Sequence, residues 1–512
     1  MQRLAMALAV GVGWVLSAAG AEPALAERLE RGRVLANQYC SVCHLFPEPD
    51  LLTQATWQHH TLRKMAPFLG VAQVRMENRP DAARLQAANL FPPSPILPRD
   101  DWFAISEYYQ RTAPTNALPQ PPHDPIVPDL TLFAAEKLTI PDWLPLTTLV
   151  SIDPAAREIR LGDGSSGSLV TFRGDGTWLR KQALGGAPVH LERDGSRLFA
   201  TLIGHIYPSD VADGQIVPVP SPGDTSVYPP LVTSLARPVQ CLVADLNGDG
   251  LNDYLVCSFG NYLGRLSWFE RKRLGGLEEH VLLEQPGAVH AEIRDFNGDG
   301  KPDLLVLIAQ GREGLNLFTN DGKGEFTLRP LIQFPPAYGS VHFEIADMNG
   351  DGIPDVIVTN GDNGEYPSPF KRYHGVRIYL NDGKMNLKES WFYPINGAFK
   401  TLARDFDGDG DLDLAVISFF PDFSRSVSEG FVYLENRGGM KFSPHTFHGA
   451  NQGRWISMDA GDVDGDGDID LVLGAFSQGP PAIEIPPALQ ASWKTNGVNA
   501  LVLRNTRIQK RP

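Results

Sequence analysis

The alternation of hydrophobic and polar residues divides the chain into two unlike parts. From residue 25 to about 115, apolar residues recur at helical spacing, as in ALAERLERGRVLANQYC (24–40) and RDDWFAISEYYQRTAP (99–114). From about residue 130 onward, short β-type runs are separated by Gly and Asp. The stretch between them is rich in proline, which is typical of a stiff linker. The pattern predicts an α-helical domain (25–115), a linker (116–130) and an all-β domain (131–512).

The all-β part contains an internal repeat. It reads ADLNGDGLNDYLV from residue 244 and returns four times, with its first aspartate at positions 245, 295, 347, 405 and 462. A period of 50 to 58 residues with β-type flanks is typical of one blade of a β-propeller. Two further strand-like units, near residues 148 and 194, lack the acidic loop. The sequence therefore predicts seven blades, although six or eight are also compatible with it.

Each repeat carries the acidic pattern D-x-[ND]-x-D-G-x-x-D. Oxygen side chains at alternate positions, with glycine at the sixth, are the ligand arrangement that Ca²⁺ requires. An EF-hand is excluded because its twelfth position, normally glutamate, is apolar in all five repeats. Solvated Asp/Gly turns are the alternative, but crowded carboxylates repel one another without a cation. About five Ca²⁺ ions are expected, which would change the formal charge from −15 to about −5.

The predicted calcium ligands come from the same five positions of each loop, the seventh acting through its backbone carbonyl. They are Asp245, Asn247, Asp249, Leu251 and Asp253; Asp295, Asn297, Asp299, Lys301 and Asp303; Asp347, Asn349, Asp351, Ile353 and Asp355; Asp405, Asp407, Asp409, Asp411 and Asp413; and Asp462, Asp464, Asp466, Asp468 and Asp470.

These repeats resemble the FG-GAP, or VCBS, blades of integrin α-chains and of many exported bacterial proteins. The segments CSFGN (257–261) and GAFSQGP (474–480) are similar to the segments that name the family. The resemblance extends over roughly residues 130 to 510 and implies a calcium-binding propeller that serves as a binding platform or scaffold.

The N-terminus has the features of an export signal. Arg3 is followed by an apolar run (4–16) and by the small residues Ala19, Gly20 and Ala21, which predicts a signal peptide over residues 1–21. An uncleaved anchor is the alternative. We therefore expect a periplasmic or extracellular protein without an integral membrane segment in its mature form. The net charge of −15 argues against a nucleic-acid partner.

The segment CSVCH (40–44) is the strongest chemical motif outside the repeats. A redox dithiol would need a βαβ setting, and a zinc site would need further nearby Cys or His ligands. Covalent c-type haem needs only this pentapeptide, with Cys40 and Cys43 forming the thioether bonds and His44 acting as axial ligand of the iron. One haem c is therefore predicted.

The surrounding residues resemble a small cytochrome c domain of the kind found fused to VCBS propellers. CSVCHLFPEPDLL with TWQHHTLRKMAPFLG and DDWFAISEYYQRTAP carry this resemblance, which implies that the closing helix packs on the helix that carries CSVCH. The sixth iron ligand is expected to be Met65. Met76 is the second choice, and His59 or His60 would give a bis-histidine haem.

The remaining two cysteines flank the first acidic loop. If the strands on either side pair, Cys241 and Cys257 are expected to lie opposite each other, so the sequence leaves open a disulfide or two buried thiols. His280, His290 and His342 are interpreted as scattered structural or surface residues.

The predicted architecture is therefore a multidomain α and all-β protein, with a helical cytochrome c domain followed by a seven-bladed propeller. Its expected function is electron transfer by an exported haem protein, with a redox protein, an extracellular polymer or a surface as partner. The alternatives are an oxidoreductase whose propeller oxidises a small substrate, and an adhesion or polysaccharide-binding propeller.

Overall fold

The structure, a computed structural model, describes residues 24–140, 144–224, 226–364, 370–425, 428–477 and 484–507. The predicted signal peptide lies outside the described residues. No helix in the described ranges combines the length and apolar character needed to cross a membrane.

Seven four-stranded antiparallel sheets form a seven-bladed β-propeller, as the repeat spacing predicted. The first strands of neighbouring blades pack against one another, so they surround the central axis. Blades 1 to 4 consist of β2 (Thr147–Asp153), β3 (Glu158–Asp163), β4 (Ser168–Arg173) and β5 (Trp178–Ala183); β6 (Pro188–Asp194), β7 (Arg197–Leu202), β8 (Gly214–Val219) and β9 (Val232–Leu235); β10 (Pro238–Ala244), β11 (Asp253–Ser258), β12 (Arg265–Arg271) and β13 (Leu277–Leu283); and β14 (Ala288–Arg294), β15 (Asp303–Ile308), β16 (Gly314–Asn320) and β17 (Phe326–Gln333).

Blades 5 to 7 complete the ring. Blades 5 and 6 consist of β18 (Ser340–Ala346), β19 (Asp355–Asn360), β20 (Gly375–Asn381) and β21 (Leu387–Pro394); and β22 (Ala398–Arg404), β23 (Asp413–Ser418), β24 (Phe431–Asn436) and β25 (Phe442–His445). Blade 7 combines β26 (Trp455–Gly461), β27 (Asp470–Ala475) and β28 (Ala500–Asn505) with β1 (Phe133–Leu138) as its outer strand. The ring is thus closed by pairing the two ends of the propeller sequence, which leaves no unpaired blade.

The second strands of the five repeat-bearing blades are buried along their whole length, for example DLLVLI in β15. Such continuous apolar runs are expected for strands covered by neighbouring blades on both faces. The apolar residues after each acidic loop therefore form the core between blades.

Helices precede the propeller. They are α1 (Leu25–Cys40), α2 (Gln54–Thr56), α3 (Leu62–Met65), α4 (Ala82–Ala87) and α5 (Arg99–Thr112), with short helical turns at Pro49–Leu51, Trp57–Thr61 and Ala66–Leu69; α6 (Pro487–Asn496) lies within blade 7. Helices α1 and α5 pack against each other, as the sequence resemblance implied. They approach closely at Gly32, where a Cβ atom would collide with Ala104 and Tyr108.

The helices lie on one face of the propeller. Arg372 pairs with Asp50 at 2.6 Å, and the Tyr373 hydroxyl donates a hydrogen bond to the Leu51 carbonyl at 3.0 Å. Tyr262 packs against Phe68 at 5.8 Å between ring centroids. The propeller residues in these contacts all belong to loops between second and third strands.

The proline-rich segment is extended, as predicted, but it is also attached to the propeller. Val127 forms a bridge with His445 of blade 6, and the Leu130 amide donates to the Thr446 carbonyl at 3.0 Å. The segment thus follows the outer edge of blade 6 before it enters β1.

Candidate functional site

The five acidic loops connect the first and second strands of blades 3 to 7. Because the strands of a blade alternate in direction, these loops lie on the face opposite to the loops that join second and third strands. The helices cover that second face. The acidic loops and the CSVCH segment are therefore on opposite faces of the propeller.

The ninth aspartate of each loop is buried and ties the loop to the third strand of its blade. In blade 4, the Asp303 carboxylate accepts a hydrogen bond from the Phe296 amide at 3.2 Å and another from the Asn320 amide at 2.8 Å. The same two contacts recur, at 2.8 to 3.3 Å, in the loops that contain Asp253, Asp355, Asp413 and Asp470. These aspartates therefore have a structural role as well as the predicted ligand role.

The first aspartate shapes the turn. Asp295 accepts hydrogen bonds from the amides of Gly298 at 2.7 Å and Gly300 at 2.8 Å, and these bonds hold its pKa below the ordinary value. Both glycines have positive φ angles, 77° and 81°, which glycine adopts without strain. The loop is thus folded by its own side chains, while each carboxylate keeps further lone pairs for a cation.

The last two loops gather three carboxylates each. One ligand oxygen from each of Asp405, Asp407 and Asp413 lies within 4.8 Å of the others, and the same is true of Asp462, Asp464 and Asp470. The Oδ1 atom of Asp405 is buried and has no hydrogen-bond partner among the described residues. Burial raises the pKa of Asp413 to about 6. A divalent cation would relieve both the crowding and the unmet oxygen.

The two blades without acidic loops use arginine instead. In blade 1, Arg160 contacts both Asp153 and Glu158 at 2.8 Å, and Arg193 of blade 2 also reaches Asp153. A guanidinium thus neutralises these carboxylates, which fits the absence of the calcium pattern there.

One set of recurring residues was missed in the sequence. In blades 4 to 7 an asparagine ends the third strand, and its side-chain amide donates a hydrogen bond to the carbonyl of the residue before the ninth loop aspartate: Asn320, Asn381, Asn436 and Asn505. The Asn320 side-chain amide also donates to the Leu246 carbonyl of the preceding blade at 2.9 Å. Alignment of the repeats beyond the acidic loop would have revealed this asparagine, since it follows an apolar run each time.

The CSVCH segment begins at the last residue of α1. Cys40 is partly buried and Cys43 exposed; neither forms a disulfide, and the Cys43 amide faces the Cys40 carbonyl at 3.4 Å. Burial raises the pKa of the Cys40 thiol to about 11. The Nδ1 atom of His44 lies 2.8 Å from the Leu45 carbonyl, and burial lowers the pKa of the ring. The imidazole is therefore neutral at pH 7, with Nε2 as the nitrogen left for a metal.

A cleft of about 180 Å³ adjoins His44, between the end of α1 and blade 4. The propeller contributes Arg312, Glu313, Gln333 and Phe334 to its lining. Glu313 is only 3% exposed and accepts hydrogen bonds from the amide and the hydroxyl of Ser340, both at 2.7 Å. No sequence motif marks these propeller residues, because only the docking of the helices brings them beside His44.

The predicted sixth ligands lie elsewhere in the helical part. Met65 is the last residue of α3 and Met76 lies in the following loop; both are partly buried, and neither lines the cleft beside His44. His59 and His60 belong to the helical turn Trp57–Thr61.

Cys241 and Cys257 do not form the disulfide that the sequence left open. Cys241 is paired with Val256, and Cys257 with Gln240, so the two cysteines are offset by one residue and belong to different core clusters. The offset is set at the acidic loop, where Ala244 and not Asp245 pairs with Asp253, and a shift of one residue turns a side chain to the other face of the sheet. Both are buried free thiols.

The interpretation of His290 and His342 as scattered residues is wrong. Their rings stack with centroids 4.7 Å apart, on the first strands of blades 4 and 5. His280 lies on outer strand β13 and contacts Glu270 at 2.9 Å, as expected for a surface residue.

The chain carries FG-GAP-like repeats. The model of this repeat matches residues 245–306, 295–358 and 405–473, and these segments include all five acidic loops. A stretch of 145 residues is 31% identical to the T-cell immunomodulatory protein homolog of Plasmodium falciparum. That match takes in 25% of this chain and 19% of the relative, so the chain spans about a fifth of that protein's length.

Solved structures resemble the chain only distantly. The Cps50 (Swd1) β-propeller domain of Myceliophteria thermophila is 11% identical, with a TM-score of 0.43, over 72% of this chain and 98% of that one. A protein from Lactobacillus plantarum is 11% identical, with a TM-score of 0.38, over 60% and 84% of the two chains. Neither likeness bears on function.

Proposed function

We propose that this chain is an exported c-type haem protein that transfers electrons, with a calcium-stabilised propeller as its docking platform. The observation that carries the proposal is the placement of CSVCH. Cys40 and Cys43 lie at the end of the packed helix α1 and form no disulfide. The neutral imidazole of His44 comes next, at the edge of a cleft.

The residues present fit a covalently attached haem. Cys40 and Cys43 supply the two sulfur atoms that thioether bonds require, and the Leu45 carbonyl orients the ring of His44 through Nδ1. When bound, haem supplies one-electron chemistry at a potential set by its axial ligands. Met65 would be the second residue to bind the iron, with Met76, His59 and His60 as the alternatives.

The surroundings of His44 have two further tasks in this proposal. The apolar side chains of Phe334 and Leu45 line the cleft and limit water there, which shapes the potential of a redox group. The exposed Arg312 guanidinium at its rim offers a positive contact for an acidic redox partner.

Calcium is proposed as the stabilising cation of blades 3 to 7. The crowded carboxylates of the last two loops and the unmet Oδ1 of Asp405 support this part of the proposal. Five loops with the same ligand pattern point to a shared structural role and not to one catalytic metal. The acidic face, opposite to the helices, is then the face left for an extracellular polymer or a surface.

Export to the periplasm or beyond is part of the proposal, because covalent haem attachment takes place outside the cytoplasm. It relies on the signal-like sequence of residues 1–21, which lies outside the described residues. Recovery of the protein in the cytoplasmic fraction of its native host would contradict it.

A second candidate function is an oxidoreductase whose propeller oxidises a small substrate. The stacked pair His290 and His342 in the central channel favours it, because neutral imidazoles can form hydrogen bonds with a small substrate. A panel of alcohols, sugars and aldehydes, added while haem reduction is followed by absorbance, separates the two functions. Reduction by one compound without a partner protein would support the enzyme.

The haem itself is tested by expression with a haem-maturation system. The wild-type protein is expected to be red, and the Cys40→Ala/Cys43→Ala variant colourless. The matched control is Cys241→Ala/Cys257→Ala, which removes two buried thiols of the propeller and is expected to keep the haem spectrum. A coloured Cys40→Ala/Cys43→Ala protein with covalently bound haem would refute the assignment.

A further inference from the structure

The first strands of all seven blades share one irregularity. In each of them, the pairing with the second strand shifts between the first and the third residue, as between Ser340 and His342 in β18. The third residue is therefore structurally equivalent in every blade. Since the first strands surround the axis, these residues form a ring around the central channel.

Polar residues occupy most of this ring. Blades 2, 4 and 5 contribute His190, His290 and His342, and blade 6 contributes Lys400. All four side chains are partly accessible although they lie deep inside the protein, as expected along a narrow channel. The ring lies in the half of each strand nearer the face covered by the helices.

Blade 3 shows how such a position is used when its role is purely structural. Its residue, Gln240, accepts a hydrogen bond from the Ala291 amide at 2.7 Å and donates to the Ala291 carbonyl at 3.2 Å. The side-chain oxygen and nitrogen of the glutamine thus both form hydrogen bonds with the next blade. The histidines do not repeat this pair of hydrogen bonds: the Nδ1 atoms of His190 and His342 are buried and have no hydrogen-bond partner among the described residues.

Electrostatics at the ring leave one positive charge. Burial is the main reason that the pKa values of His190 and His290 fall to about 4 and about 3, and nearby Lys400 lowers both further. The pKa of His342 is also lowered, first by burial and then by His290 and Lys400. The three imidazoles are therefore neutral at pH 7. No ion pair of Lys400 is found within the ranges that the structure describes.

The carboxylates further along the same strands do not cancel this charge. Glu344 pairs with Arg404 and accepts a hydrogen bond from the Ala403 amide at 2.8 Å. Glu292 lies 3.4 Å from Arg294. Burial raises the pKa of Glu192 to about 7, so this group is only partly ionised at neutral pH.

We propose that the central channel binds a small oxyanion, either a carboxylate or an inorganic oxyanion, between Lys400 and the imidazoles of His190, His290 and His342. The ammonium group supplies the charge, and neutral imidazoles donate hydrogen bonds to the oxygen atoms. The site is independent of haem and of calcium.

The test is isothermal titration calorimetry of the full chain with acetate and with sulfate, each against chloride at equal ionic strength. Saturable binding of at least one anion is expected. Lys400→Met should weaken it roughly 10- to 100-fold, since a charge-assisted hydrogen bond is lost. Lys400→Arg should keep most of the affinity, and Lys441→Met, an exposed lysine of the same blade, should not alter it.

The two anions separate the possible sources of the ligand. Preference for acetate indicates a carboxylate-bearing metabolite, and preference for sulfate indicates an inorganic oxyanion. Histidine ring signals in NMR spectra should shift on binding, and His290→Asn should also weaken it, which provides a second variant if Lys400→Met fails to fold. Equal affinity of Lys400→Met and wild type, or binding of neither anion, would overturn the proposal.

Discussion

A substitution at Asp303 can separate the structural role of the ninth loop aspartate from its proposed role as a calcium ligand. It is fully buried, and its two oxygens accept backbone amides of Phe296 and Asn320. In Asp303→Asn the side-chain oxygen can accept only one of them, so one buried N–H loses its partner and faces an NH₂ group. A buried donor without a partner costs about 1–3 kcal/mol.

Asp299→Asn is the matched control. Asp299 is a predicted ligand of the same loop, but it is exposed and its Oδ1 accepts the Lys301 amide at 3.0 Å, a bond that asparagine can keep. In urea unfolding followed by tryptophan fluorescence with EDTA present, Asp303→Asn should lower the free energy of unfolding by about 1–3 kcal/mol. Asp299→Asn should change it by less than about 0.5 kcal/mol.

With calcium added, both variants should gain less stability than the wild type, because each has lost one negatively charged ligand. If Asp303→Asn is as stable as the wild type in EDTA, the two hydrogen bonds accepted by Asp303 do not stabilise the fold. If both variants respond to calcium as the wild type does, this loop does not bind the ion.

Three further predictions concern the helical part and its cleft. Burial raises the pKa of the Glu313 carboxyl from 4.5 to about 8, so the folded protein binds this proton more tightly than the unfolded chain does. The free energy of unfolding should therefore fall as pH rises from about 5 to 8. The fall should amount to up to a few kcal/mol, at ~1.4 kcal/mol per pKa unit. Glu313→Gln should flatten this dependence in thermal melts, and an unchanged slope would contradict the assignment. Gly32→Val should separate α1 from α5 and lower the melting temperature of the helical part, whereas Val34→Ala, at an exposed site of α1, should not. Met65→Leu should change the visible spectrum and the potential of the haem protein, while Met76→Leu should not; the reverse result would exchange their roles.

Much of the propeller could be predicted because each acidic blade repeats the same sequence pattern. The five aspartates at a period of 50 to 58 residues fixed the number and the order of the acidic blades, and the strand-like units near 148 and 194 supplied the two others. The apolar run after each loop forms a fully buried second strand in all five blades.

The register of paired strands and the contacts between residues far apart in the sequence could not be predicted from the repeat. The pairing of Ala244 with Asp253 at the acidic loop offsets Cys241 by one residue from Cys257, and such an offset has no sequence signature. The channel ring did leave a signal: His290, His342 and Lys400 each precede the first aspartate of their loop by five residues. Only a comparison of the repeats upstream of the loop, together with the closed ring, places these residues side by side.

The haem proposal predicts one covalent porphyrin per chain, and intact-mass spectrometry of protein purified from its native host measures this directly. The proposal predicts a mature chain heavier than its polypeptide by one haem, with the added mass located on the peptide that contains Cys40 and Cys43. A mature chain with the mass of the polypeptide alone, and with both of these thiols open to alkylation, would contradict it.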